Sequence, residues 1–137
     1  FPGAKKRMQK IKKKNGFAIY SDYGHHPKEI NAVLTAVWHH KKIRPHVIIE
    51  PHRYSRMQYT WDQWPEVLQH NKVFIMPIYK ASEAPIDGIT TETFIKYLRD
   101  NNVDAHALAD FSKYVPDNET ICFSAGRLSA ILEEYFV

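Results

Sequence analysis

The sequence predicts an α/β fold with an open, mostly parallel sheet of about five or six strands and helices on both faces. Two observations carry this prediction. Short apolar runs alternate along the chain with segments in which apolar residues recur at helical spacing. Several of these runs are continuously apolar, which is typical of strands covered on both faces. With 137 residues, 44% of them hydrophobic and 25% charged, the chain has the size and composition of one globular domain.

The first half of the chain predicts three strands and two helical segments. Residues 17–20 form an apolar run that predicts the first strand, and Pro27 stands where a helix prefers its first residue. The following helix should extend for about ten to fifteen residues, with an apolar face formed by Ile30, Val33, Leu34, Val37 and Trp38. Residues 46–49 and 73–76 predict the second and third strands, and the helical stretch between them is interrupted by Pro65.

The second half repeats this pattern with weaker signals. Thr90 or Thr91 can cap a helix, whose apolar face would be Phe94, Ile95 and Leu98. Residues 103–108 and 121–123 predict the fourth and fifth strands. A closing amphipathic helix is indicated by Leu128, Ile131, Leu132, Tyr135 and Phe136.

Charge is distributed unevenly along the chain. The first 14 residues, here called the basic arm, hold seven of the 19 Lys and Arg and no acid, whereas all 15 acids lie in residues 15–137. Such an arm could bind nucleic acid, an anionic lipid surface or a phosphate-bearing ligand, or it could be a solvated segment that joins a preceding domain. Because the chain begins with Phe1 and has no signal peptide, we expect it to be a fragment of a longer polypeptide.

Several function classes are excluded by the sequence. The single cysteine, Cys122, rules out an internal disulfide framework, fits a reducing compartment and is most simply a core residue. The adjacent histidine pairs lack the spacing of a helical zinc site, and no run approaches the roughly 18 apolar residues of a membrane span. Neither a glycine-rich phosphate-binding loop nor a nucleophile-elbow motif is present.

Three polar and aromatic loops follow predicted strands, at residues 21–27, 51–56 and 79–83. Ligands of open α/β sheets bind beyond the carboxyl ends of the strands, so these loops are the candidate site. In the first loop, Asp22 could accept hydrogen bonds from vicinal hydroxyls or be only a turn residue. His25 and His26 precede a helix N-terminus, where they could help to bind an anion or only cap the helix.

The second loop carries two arginines with helical spacing, Arg53 and Arg56. If this loop begins a helix, both guanidinium groups project to one side and can hold a carboxylate or a phosphate. The alternative is that they are surface residues paired with Asp62 or Glu66. The third loop, with Lys80 and Glu83, gives a weaker signal.

Taken together, the loop motifs resemble the C-terminal domain of the Mur ligase family. The resemblance rests on Ser-Asp-Tyr-Gly-His-His-Pro at residues 21–27 with Glu29-Ile30 after it, on Pro-His-Arg-Tyr-Ser-Arg at residues 51–56, and on Ile78-Tyr79, Glu83 and Pro85-Ile86. Residues 3–9 also look like the segment by which that family enters its third domain. The resemblance covers nearly the whole chain.

The resemblance implies that residues 1–137 are a Rossmann-like third domain, with residues 1–14 leading in from a central ATPase domain. It implies a cytoplasmic bacterial enzyme that uses ATP and Mg²⁺ to add L-alanine to UDP-N-acetylmuramate through an acyl phosphate, in peptidoglycan precursor synthesis. The metal would be held mainly by the central domain, and the central and N-terminal domains would be this domain's partners. No nucleic acid or membrane partner is implied, and the fragment alone should lack ligase activity.

The resemblance also assigns roles to individual residues. It places Asp22 on the ATP ribose and Arg7 near the phosphates, with Tyr23 and His25 lining the nucleotide side. His52, Arg53 and Arg56 would face L-alanine, with the arginines holding its carboxylate. It assigns no catalytic residue and no metal ligand to this chain. The sequence departs from the family pattern at Ser21, where an acid is common, and at Arg127, in a turn that is usually acidic.

Two alternatives stay open. One is a sibling ligase that joins a ready-made peptide to the same muramate, although Tyr23-Gly24 before the histidine pair favours the alanine-adding enzyme. The other is a small nucleic-acid-binding domain that uses Lys5 to Lys14 as a basic arm. The arm has no interleaved aromatic residues, which argues against that reading.

Overall fold

The computed structural model describes residues 8–133, without the side chains of Lys12, Ser129 and Glu133. Six strands occur in these residues: β1 (Gln9–Lys14), β2 (Phe17–Asp22), β3 (His46–Ile49), β4 (Lys72–Ile75), β5 (Asp104–Ala107) and β6 (Thr120–Phe123). The helices are α1 (Pro27–Lys41), α2 (Tyr54–Thr60), α3 (Trp64–Leu68), α4 (Thr91–Asp100) and α5 (Arg127–Glu133). Short 3₁₀ turns lie at Trp61–Gln63 and Phe111–Lys113.

The strands form one sheet in the order β1-β2-β6-β3-β4-β5. Strands β2 to β6 are parallel to their neighbours, and only β1 is antiparallel, to β2. The predicted α/β class and the predicted mostly parallel sheet are therefore confirmed. All five strands inferred from apolar runs are present, with bounds that differ from the prediction by at most two residues.

The additional strand, β1, lies in the basic arm and was not predicted. It pairs with β2 through a hairpin turn at Asn15 and Gly16, whose φ angles of 54° and 84° are both left-handed. Ile11 is fully buried on one face of β1, whereas Lys10 and Lys13 are exposed. Lysines suit an edge strand because their charge opposes pairing with another chain. Residues 9–14 are thus part of the sheet and not a solvated tail.

Helices cover the two faces of the sheet unequally. Buried residues of α1, α2, α3 and α4 pack in one cluster with Val47, Ile49, Val73 and Ile75. The opposite face carries Ile19, Ile48 and Cys122, which pack with Phe111, Tyr114 and α5. Since successive strand residues point to opposite faces, both clusters follow from the continuous apolar runs of β3 and β6.

Local signals account for the helix ends that position the loops. His26 caps α1, and Pro27 lies in the first turn of this helix. The Glu29 carboxylate accepts a hydrogen bond from the backbone N–H of His26. Thr90 caps α4 through its hydroxyl. Pro65 falls in the first turn of α3, so the interrupted helical stretch becomes α2, a 3₁₀ turn and α3. Over residues 8–133, no helix has the length and apolar character required to cross a bilayer.

Candidate functional site

The carboxyl ends of the parallel strands bring the three candidate loops to one edge of the sheet. The loop after β2 meets the loop after β3 through His25 and Arg56. The loop after β3 in turn meets the loop after β4 through His52 and Tyr79, which form an isolated parallel bridge. His25, His52 and Arg56 therefore lie together, as their positions after strands predicted.

Asp22 ends β2 and is fully buried. Its carboxylate accepts hydrogen bonds from the backbone N–H of Gly24, at 2.8 Å, and of Met8, at 3.2 Å. The first contact forms a turn closed by the side chain, which is the structural role considered for this residue. The second contact joins the end of β2 to the start of β1.

His25 and Arg56 make a direct hydrogen bond. Arg56 Nη1 lies 2.5 Å from His25 Nε2, and because a guanidinium only donates, Nε2 must be unprotonated. The other ring nitrogen, Nδ1, is 3.3 Å from the carbonyl oxygen of Tyr23 and can donate to it. Burial is the main cause that lowers the pKa of His25, and the Arg56 charge adds to it. A neutral His25 thus holds the Arg56 guanidinium in place.

His52 lies between His25 and Tyr79. Its ring centroid is 5.2 Å from that of His25 and 5.5 Å from that of Tyr79, on which it stacks. Burial is the main cause that lowers the pKa of His52 to about 4, and the nearby charges of Arg56 and Arg53 lower it further. The buried Nδ1 has no hydrogen-bond partner. His52 is therefore neutral at neutral pH.

Arg53 and Arg56 begin α2 and share an open cavity of about 310 Å³ with His26, Ser55, Tyr59 and Thr60. Arg53 is the N-cap residue, with φ 67° and ψ 142°, a backbone conformation that side chains other than glycine rarely adopt. Neither guanidinium forms an ion pair with Asp62 or Glu66, so the surface-pairing alternative is not what the described residues show.

Glu83, in the third loop, contacts the first turn of α2. Its Oε1 accepts from the backbone N–H of Ser55 at 3.1 Å, and its Oε2 accepts from the Ser55 hydroxyl. These hydrogen bonds, more than the nearby Arg53 charge, lower the pKa of Glu83. The residue that gave a weak signal in the sequence is thus in direct contact with the helix that carries the arginines.

Sequence reasoning missed Glu50, which follows β3 directly and is 5% exposed. Its carboxylate accepts from the Ser124 hydroxyl at 2.6 Å and from the Leu128 N–H at 3.1 Å, at the start of α5. Burial is the main cause that raises its pKa. An acid placed directly after an apolar strand, as at Asp22, was the available signal.

Gly126 and Tyr79 were given no role in the predicted site, although Tyr79 lies in the third candidate loop. A Cβ on Gly126 would lie 2.6 Å from Tyr79 Cδ2, so the tyrosine ring packs directly on the glycine. Beyond this contact lies a second, larger cavity of about 780 Å³ whose polar lining includes Lys80, Asp110 and Arg127.

The remaining predicted residues are placed as follows. Tyr23 is 37% exposed, and its ring meets that of His25 edge-on at 6.3 Å. Arg7 lies outside the described residues. Cys122 is fully buried in the core, as expected. Residues 8–133 contain no group of three or more side chains that could hold a metal ion.

Comparisons with known proteins agree with this architecture. The family described as Mur ligase, glutamate ligase domain, matches residues 6–121. The UDP-N-acetylmuramate–L-alanine ligase of Methylorubrum populi is 34% identical over 94% of this chain and 30% of its own length. The chain thus spans about 30% of the length of this curated relative.

Two solved structures share the fold. The UDP-N-acetylmuramate–alanine ligase of Thermotoga maritima aligns over 95% of this chain and 29% of its own, with a TM-score of 0.63 and 18% identity. The murein peptide ligase of Psychrobacter arcticus aligns over 96% of this chain and 29% of its own, with a TM-score of 0.65 and 15% identity.

Proposed function

Because the chain belongs to the Mur ligase family, we propose that it is the C-terminal domain of an ATP-dependent ligase that adds L-alanine to UDP-N-acetylmuramate. The product is a precursor of peptidoglycan, and the substrates place the reaction in the bacterial cytoplasm. Residues 1–14 would lead in from the central domain, which together with an N-terminal domain completes the enzyme. This domain contributes the amino-acid site and one side of the nucleotide site.

The observation that carries the proposal is the arginine pair on α2. Arg53 and Arg56 border one open cavity, and Arg56 is oriented by a hydrogen bond to His25. Guanidinium groups hold a carboxylate with paired charge-assisted hydrogen bonds, which suits the carboxylate of an amino acid. In this role Arg53 and Arg56 bind the carboxylate of alanine, and His52 borders it.

The two histidines set the charge around the bound amino acid. His25 is held neutral by the Arg56 bond, and the pKa of His52 is about 4, so neither ring adds a cation at neutral pH. Among the described residues that border this cavity, the positive charges near the α-amino group of alanine would therefore be those of the two arginines that bind its carboxylate. That arrangement orients the amine without repelling it.

ATP, when bound, would supply the phosphoryl group that activates the muramate carboxylate. The exposed ring of Tyr23, next to His25, fits a position against the nucleotide. Asp22 is fully buried, so a ribose hydroxyl would reach its carboxylate only if neighbouring side chains move. Mg²⁺, when bound, would be held mainly by the central domain.

A fusion enzyme tests the proposal. This chain replaces the matching C-terminal 30% of the Methylorubrum populi ligase, and phosphate release is measured with ATP, UDP-N-acetylmuramate and L-alanine. We expect release that depends on all three substrates, and none from the isolated chain. Arg53→Ala and Arg56→Ala should raise the KM for alanine at least tenfold. A fusion that turns over a muramyl tripeptide but not alanine would assign the chain to the sibling ligase instead.

A second measurement needs no turnover. Titration of the isolated chain with L-alanine should shift the NMR signals of the Arg53 and Arg56 guanidinium groups and leave those of Lys10 and Lys13, on the exposed edge strand, unchanged. An alanine titration that moves neither guanidinium, together with an inactive fusion, would refute the proposed site.

A further inference from the structure

The helix that carries both arginines has no cap of its own. Its N-cap residue, Arg53, makes no side-chain hydrogen bond to the first turn of α2. The first N–H groups of a helix have no partner within the helix and need one from elsewhere. An arginine side chain has only hydrogen-bond donors and cannot accept from these N–H groups. Arg53 therefore leaves the first turn of α2 without a side-chain cap.

A residue from another loop takes over the capping role. The two Glu83 oxygens accept from the backbone N–H and from the hydroxyl of Ser55, the second residue of α2. This is the contact that an N-cap side chain normally supplies from two or three residues away, here made across 28 positions of sequence.

The backbone conformation of the residues before Glu83 places this residue next to Ser55. Glu83 N–H donates to the Lys80 carbonyl at 2.9 Å, and the two residues between them, Ala81 and Ser82, have φ angles of 49° and 70°. Two consecutive left-handed residues other than glycine are unfavourable, and such strain persists only where surrounding contacts hold it. Those contacts include Tyr79, whose carbonyl accepts the Arg53 N–H at 2.8 Å.

We propose that Glu83 is a positioning residue for amino-acid binding, which acts by capping α2 through Ser55 and so fixes the Arg53 and Arg56 pair over their shared cavity. The loop after β4 then holds the arginine helix at two points, by Tyr79 on the Arg53 backbone and by Glu83 on the first turn. Removing Glu83 frees the first turn of α2 while leaving both guanidinium groups in the protein. This inference rests on the proposed function, because it concerns the affinity of the same site.

The test combines kinetics of the fusion enzyme with hydrogen exchange of the isolated chain. Glu83→Ala should raise the KM for L-alanine about tenfold or more with kcat changed less than about threefold, since the arginines bind substrate and transition state alike. The KM values for ATP and UDP-N-acetylmuramate should stay within about twofold. In the isolated chain, the Ser55 amide should exchange about tenfold faster. The matched control is Glu92→Ala, which removes an exposed carboxylate from α4 and should change none of these values.

A double variant separates capping from direct contact with the substrate. If Glu83 acts through Ser55, then Ser55→Ala combined with Glu83→Ala should raise the alanine KM no further than Glu83→Ala alone. Fully additive effects would mean that Glu83 and the Ser55 side chain act independently of each other, and would overturn the positioning role. So would an unchanged Ser55 exchange rate, or an unchanged alanine KM in an active fusion. A wild-type fusion that is inactive with alanine would count against the proposed function, whereas an active one that tolerates Glu83→Ala counts only against this inference.

Discussion

Replacing Arg53 by glycine should stabilise the domain, although it removes a residue of the site. At φ 67° and ψ 142°, the Arg53 backbone stores strain of about 1–3 kcal/mol, which glycine would relieve. Glycine also lowers the stability of the folded state by about 0.5–1 kcal/mol, because it gives the unfolded chain more conformational freedom. The Arg53 side chain is exposed, so its removal changes stability little. The middle of these two ranges gives a net gain of about 1 kcal/mol.

Arg53→Ala is the matched control, because it also removes the guanidinium but keeps a Cβ in the strained conformation. Urea denaturation should rank Arg53→Gly as the more stable variant by about 1 kcal/mol, or about 3–4 °C in Tm for a domain of this size. Both variants should lose alanine binding to the same extent. Equal stability of the two variants, or a lower stability for glycine, would refute the strain argument.

Four further outcomes are expected. Gly126→Ala should cost about 1–3 kcal/mol, measured as a lower Tm, because its Cβ would lie 2.6 Å from Tyr79 Cδ2; an unchanged Tm would contradict the packing described. The pKa of His52 is lowered to about 4 in the folded state, so its contribution to stability should be complete above the unfolded pKa of about 6.5 and decline as the pH falls from there toward 4. After allowance for the partly solvated ring, the loss of stability between pH 6.5 and pH 4 amounts to about 1–2 kcal/mol. Urea denaturation at both pH values should show this loss in the wild type and not in His52→Gln. Burial raises the pKa of the Cys122 thiol, so the folded chain should resist a thiol reagent that labels it rapidly in denaturant; fast labelling of the folded chain would place it outside the core. Ile48→Asp should abolish folding by circular dichroism, since it buries an unpaired charge, whereas Ile48→Val should lose only about 1 kcal/mol.

The parallel part of the sheet could be predicted because its signals are local. The apolar runs that became β3 and β6 are continuous, and the Pro27 and Thr90 signals mark helix starts within one residue. β1 escaped prediction because its composition is dominated by lysine, which masks the single buried residue, Ile11. The signal that could have found it is Asn15-Gly16, the dipeptide that two-residue hairpin turns favour.

The sequence predicted only those parts of the candidate site that follow directly after the parallel strands. Placing His25, His52 and Arg56 after neighbouring parallel strands was enough to predict that they meet. The contacts of Glu83 and Glu50 were not predictable in this way, because each joins positions 28 to 78 residues apart whose pairing depends on loop conformation. Left-handed backbone at Arg53 also has no sequence signature, since glycine is the residue that usually occupies such a position.

Charge balance explains why this site suits a single carboxylate. Arg53 and Arg56 bring two positive charges, both histidines are held neutral, and the ionised Glu83 beside Arg53 offsets one of them. One net positive charge remains, which a carboxylate neutralises, whereas a polyphosphate would need several more cations. Lys10 and Lys13 lie on the edge strand β1, and Lys80 lines the second cavity and not the one that Arg53 and Arg56 share. In the proposed function this balance favours the carboxylate of an amino acid, and the cations for the nucleotide phosphates would come from Arg7, which lies outside the described residues, and from the central domain.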